Sequence, residues 1–262
     1  MREATKRTSG WVGVMALALA PMLGGADGCG AAFSESPAPN MAGDWDVSYD
    51  DRLDVEIAIG GATYTEELGA GGGVVELTHE GQPLMFDLRC ERPEVVCPSE
   101  VWPSEVGFRQ DDERYPHRVW LQIPHQECMG ALRDPAPSEC GAGTQNPECE
   151  QVCDGAIETS YREAFGVIDE PGESWRVGLG AGFATNGINC VLLGASVAEG
   201  DLTTTGTAED GDWEATATRG DVVTTYGGGC LWAGDPDMDG ELEALVLGAT
   251  VRFATGFAGD KR

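Results

Sequence analysis

Leu53-Asp54-Val55-Glu56-Ile57-Ala58-Ile59-Gly60-Gly61 places an apolar residue at every second position and then supplies two glycines. A strand turns successive side chains to opposite faces, so Leu53, Val55, Ile57 and Ile59 share one face and Asp54, Glu56 and Ala58 the other. This is a half-buried strand. Gly60-Gly61 reaches positive φ without steric cost, as a tight hairpin needs, and Ala62 to Glu66 returns beside the first strand.

The same pattern continues downstream. Val75, Leu77 and His79 share a face, a Glu80-Gly81-Gln82 turn follows, and Leu84, Phe86, Leu88 and Cys90 share the next. Residues 91–116 carry Pro93, Pro98, Pro103 and Pro116 and read as a long connection, after which Val119, Leu121 and Ile123 alternate in a strand ending at Pro124. Residues 128–153 form a second Pro- and Gly-rich loop. The last third reads as hairpins: Ala164 to Asp169 into Ser174–Leu179 through Glu170-Pro171-Gly172-Glu173, then Asn186-Gly187 into Ile188–Ser196. Leu202–Thr207 turns at Asp210-Gly211 into Trp213–Thr218, and Arg219-Gly220-Asp221 turns into Val222–Tyr226. Val251, Phe253, Thr255 and Phe257 share a closing face. Ile157 to Phe165 is the one segment with room for two helical turns. Short strands with frequent turns predict an all-β fold, an antiparallel meander barrel or else a β-sandwich, with two disulfide-stapled loops.

The chain has 262 residues, 16 basic and 45 acidic, for a net charge of −29. Such a surface repels nucleic acid and anionic headgroups. Lys6 and Lys261 are the two lysines, a bias that fits a GC-rich genome, and the acidity fits a salty habitat. Of nine cysteines, Cys29 stands apart, and Cys90, Cys97, Cys128, Cys140, Cys149, Cys153, Cys190 and Cys230 make an even set. In an exported chain such a set reads as four disulfides. Cys90 and Cys97 flank a short loop, Cys190 and Cys230 fall in late strands, and the rest crowd residues 128–153.

Ahead of Cys29 stand Arg2, Lys6 and Arg7, an apolar run from Trp11 to Ala20, and Gly24-Gly25-Ala26-Asp27-Gly28. That order is a signal peptide over residues 1–28, too short in its apolar part to span a bilayer. With cysteine next, it resembles the lipobox of bacterial lipoproteins, although Ala26 replaces the usual Leu and Asp27 is an unusual neighbour. The resemblance implies a lipid-anchored, palmitate-bearing Cys29 as mature N-terminus. Gly30, in place of the Asp that retains such proteins on the inner membrane of enteric bacteria, favours the outer membrane. Residues 29–41 then form an anchor and flexible tether, and 42–262 a single β domain. In style the chain is similar to Cys-rich lipoproteins of myxobacteria, a likeness that brings no activity with it.

Gly43-Asp44-Trp45, with Tyr49 four residues on, resembles the Gly-x-Trp signature of lipocalins. There the Trp closes one end of the barrel against a late Arg, for which Arg252 and Arg262 are the candidates.

Asp235, Asp237, Asp239, Glu241 and Glu243 resemble the start of an EF-hand loop, so calcium is a possible ligand and otherwise no cofactor is required. Val246 stands where the bidentate Glu belongs, and an acidic turn between strands is the simpler reading. His117 and His125, eight apart, would share a strand face and a metal only if a third ligand joined them. Gly194-Ala195-Ser196-Val197-Ala198 lacks the last Gly of a nucleophile elbow, and no catalytic set is nominated. Acidic pairs such as Asp50-Asp51 are expected in so acidic a chain, and Trp102, Trp120, Trp175 and Trp232 read as core before pocket. The expectation is therefore a non-enzymatic envelope lipoprotein that binds a small ligand or an envelope protein and meets the membrane through its anchor. A purely structural lipoprotein is the alternative, and an extracellular hydrolase comes third.

Overall fold

The computed structural model describes residues 30–90, 102–110, 113–133, 152–186, 190–234 and 243–262. Eight antiparallel strands close a barrel in chain order: β1 (Gly43–Tyr49), β6 (Glu105–Arg109), β7 (Arg118–Cys128), β10 (Ile157–Ile168), β11 (Ser174–Asn186), β12 (Cys190–Thr205), β13 (Glu214–Gly234) and β14 (Glu243–Lys261), which returns to β1. This is the expected meander barrel. Two hairpins sit between its first two strands, β2 (Arg52–Ile59) with β3 (Ala62–Gly69) and β4 (Gly72–His79) with β5 (Gln82–Arg89). β8 (Leu132–Arg133) and β9 (Val152–Cys153) form a small ribbon beyond β7.

The last strands are much longer than the barrel is tall. β13 alone has 21 residues, about 70 Å along the strand at the usual rise. β1 and β2 run one after the other beside β14: Tyr49 lies opposite Phe257 and Asp54 opposite Ala254, with Asp50-Asp51 at the joint. Below the joint the barrel closes through β6. Above it, β2 and β3 extend the sheet, β3 meets β4, and β5 meets β11. Two cores therefore stack along the same strands.

The lower core holds Trp45, Phe108, Val119, Leu121, Ile168, Trp175, Val177 and Phe257. The upper holds Leu53, Val55, Ile57, Ile59, Val75, Leu84, Phe86, Leu88, Tyr226, Val251 and Phe253. Every alternating face read from the sequence in β2, β4, β5 and β14 points into a core, His79 included at 3% exposure.

Five local expectations differ. Ile157 to Phe165 is strand, because its full length pairs with β7, and pairing overrides weak local preference. Glu105–Arg109 is a strand inside the segment read as connection, burying Val106 and Phe108. β7 continues past Pro124 to Cys128: Ile168 donates to the His117 carbonyl, so odd residues of β7 bond β10 and Pro124 turns its missing N–H the other way, beyond the last pairing with β6. β13 runs unbroken through Arg219-Gly220-Asp221, which the sequence reads as a turn, with Gly220 paired to Gly200 of β12. Residues 30–41, read as a flexible tether, are packed along the barrel base, with Ala31, Ala32 and Met41 buried.

Cys128 and Cys153 are bonded, closing the ribbon end. Cys90 and Cys230 each take part in a disulfide of their own, and Cys190 stands opposite Cys230 in register. Cys29, Cys97, Cys140 and Cys149 lie outside the described residues.

Candidate functional site

The barrel interior is the first place to look, since lipocalin-like barrels hold ligands there. It is full. Trp45 is wholly buried and donates its indole N–H to the Met41 carbonyl at 3.0 Å, while Phe108 meets both Trp45 and Trp175 edge-on at 5.8 and 5.1 Å. Trp175 donates to Thr218 Oγ1 at 2.8 Å, which donates to the Asp201 carbonyl. The residual void, bounded by Tyr49, Trp102, Val106 and Val222 among others, is about 20 Å³. That is room for about one water, against the several hundred Å³ of a ligand pocket. At the junction of the two cores, Tyr49 packs on Trp102 and donates to the Pro103 carbonyl at 3.2 Å, and burial pushes its phenol pKa well up.

Trp45 opens the first barrel strand, as the Gly-x-Trp motif implies, but neither candidate arginine is turned onto it. Arg262 donates to Asp46 and Glu105 at the surface, and Arg252 lies across from Glu56 on the exposed face of β14. The residue opposite Trp45 is Lys261, whose Nζ donates to the Asn40 carbonyl at 3.0 Å and to Glu214 at 2.7 Å.

These contacts belong to a cluster that binds the N-terminal segment to the barrel base. Gln110 accepts from the Met41 N–H at 2.7 Å and donates to the Pro39 and Pro116 carbonyls. Asn40 exchanges backbone bonds with Trp213 and Ala215. His117, with no exposure, donates from Nδ1 to the Ile168 carbonyl, so its Nε2 accepts from Ser36 Oγ, both at 3.0 Å. Arg118 donates to the Ala32 carbonyl at 2.7 Å and stacks over Tyr115. The hydrogen bond from Arg262 holds the Asp46 carboxyl below its ordinary value, and that from Lys261 does the same for Glu214.

His117 and His125 do not share a metal: His117 is a satisfied clasp at the base, and eight residues of strand put His125 about 26 Å away. His79 is placed against Tyr64, whose hydroxyl is 3.1 Å from Nδ1, while Nε2 faces the Gly60 turn with no hydrogen-bond partner among the described residues. Ser196 shares a hydrogen bond with Thr224 inside the sheet. Of the calcium residues, Asp235, Asp237, Asp239 and Glu241 lie outside the described residues, and Glu243 begins β14 opposite Gly234, so strands flank the loop.

Outside, two features stand out. An open groove of about 450 Å³ crosses β2, β3 and β14, lined by Asp54, Glu56, Glu66, Glu67 and Arg252. Arg52 already pairs with Asp54 and Glu67 there. Farther round, the β7–β10 ribbon carries Ile157, Tyr161 and Phe165, each about half exposed or more. Periodicity gave no signal for this edge, since a strand reads alike whether one side or both sides are paired.

No family model matches the chain, and no curated protein is similar to it.

Proposed function

We propose that the chain is an exported lipoprotein of the cell envelope, anchored through Cys29, whose domain is a non-enzymatic β scaffold acting through its exterior on an envelope protein. The observation that carries this reading is the bonded N-terminal segment. Gly30 follows Cys29 directly, and from Ala32 onward the chain is held to the barrel base by Arg118, His117, Gln110 and Lys261. A lipid on Cys29 would bring that base to the bilayer, and the long strands would carry the upper core away from it. The filled lower core favours a protein partner over a small molecule enclosed there. Gly30 favours the outer membrane.

Intact-mass analysis of the mature chain tests the anchor. The expected product begins at Cys29, carries acyl chains, and fractionates with membranes, while Cys29→Ser releases it to the soluble fraction. A mature chain that begins elsewhere with no lipid overturns the reading.

A further inference from the structure

Among the described residues, β10 leaves one edge unpaired over most of its length. On one side it pairs with β7 from Ile157 to Val167; on the other its described pairing is with β11 at Gly166–Ile168. β11 departs at a bulge between Gly178 and Gly180, the latter at φ 140°. Ile168 donates to His117 on the β7 side and Asp169 to Ser174 on the β11 side, which fixes the parity of the whole strand. Ile157, Thr159, Tyr161 and Phe165 therefore direct their backbone N–H and C=O along the open edge.

Such edges are normally guarded by Pro, Lys or inward charge. Residues 157–165 contain neither Pro nor Lys. They show solvent Ile157 at 62%, Tyr161 at 57% and Phe165 at 48% exposure, all on one face. The edge is also close to neutral in a chain of net charge −29: Arg162 offsets Glu158, and Glu163 is bonded by Arg109 at 3.2 Å.

We propose that β10 pairs antiparallel with β10 of a second copy about a two-fold axis at Tyr161. That register sets Ile157 against Phe165 of the second copy and Tyr161 against itself. It also puts Ser160 opposite Arg162 and brings Glu158 diagonal to the second copy's Arg162. Two exposed two-stranded ribbons become one four-stranded sheet with a continuous apolar row, an isologous interface. The proposal names the partner of the exterior surface proposed above and rests on that reading, but not on the anchor.

The full chain carrying Cys29→Ser, so that no lipid can gather copies, is measured by sedimentation equilibrium. Twice the monomer mass is expected at tens of micromolar, rising with salt as the net negative charge is screened. Tyr161→Cys should crosslink to a covalent dimer on mild oxidation, since a hydrogen-bonded antiparallel pair holds Cα atoms about 5.5 Å apart. Thr159→Pro deletes an edge N–H without touching the β7 ladder and should give a monomer with unchanged near-UV circular dichroism. A wild-type monomer throughout, or a dimer that survives Thr159→Pro and leaves Tyr161→Cys uncrosslinked, overturns the pairing. Failure of the anchor is read separately, in the mass of the mature N-terminus.

Discussion

Gly200 and Gly220 face each other across β12 and β13, between Trp175 on β11 and Phe257 on β14. The two rings meet at 5.9 Å over the space the glycines leave. In sequence, Arg219-Gly220-Asp221 looks like a turn; in the fold Gly220 and Gly200 are the floor of an aromatic core. A Cβ on Gly220 would lie 1.9 Å from the Glu199 carbonyl oxygen. Gly220→Ala should therefore destabilise by about 1–3 kcal/mol in urea unfolding, as overpacking does. His117→Phe, which leaves the Ile168 carbonyl and Ser36 unmatched, should cost a similar ~1–3 kcal/mol. Acid acts on the base cluster. Asp46 and Glu214 titrate below their ordinary 3.8 and 4.5, so their contribution is complete above about pH 4.5 and is lost as pH falls through the lowered values. Amide exchange at Gly259–Lys261, corrected for intrinsic rates, should quicken over that acid range and stay level from pH 5 to 7.

At the scale of elements, β2, β4 and β5 were legible residue by residue. Each presents one face to the upper core, β3 returns beside β2 with no fully buried residue, and two-residue turns fix the register: Gly60-Gly61 at φ 57° and 86°, and Glu80-Gly81 at 49° and 80°. Glu80 is the described non-glycine residue at positive φ, a conformation that costs most side chains about 1 kcal/mol. Glu80→Asn should raise stability by about 0.5–1 kcal/mol, read as a higher melting temperature. The ribbon of β7 and β10 was legible only in part. Its β7 half alternates, while Ile157 to Phe165 has solvent on both faces and so has no burial pattern to betray a strand. Removing the Cys128–Cys153 bond with paired serines should speed amide exchange in residues 126–133 and 152–160. Global melting should hardly move, because neither core includes those residues.

At the scale of the molecule, composition and cysteine spacing fixed little beyond an acidic, disulfide-bearing β chain. Hairpin grammar predicted the barrel, because consecutive antiparallel neighbours can close on themselves and leave fewer edges. It did not predict that β2 to β5 leave the barrel after its first strand and build a second core on the extended ends of β11–β14. Nor did it distinguish a filled interior from a ligand cavity. Volume in a core depends on which side chains meet across strands far apart in sequence, as Trp45 with Phe108 or Tyr226 with Phe253 do. Alternation, turn chemistry and charge are local properties, so the sequence by itself determined the half-buried strands β2, β4 and β5 with their tight turns and the acidic surface, but not β6 or β10. Closure, core filling, the clasped N-terminal segment and the open edge of β10 follow from which strands become neighbours. Only the tertiary structure decided them, because hydrogen-bond partners and excluded volume are set by distant segments.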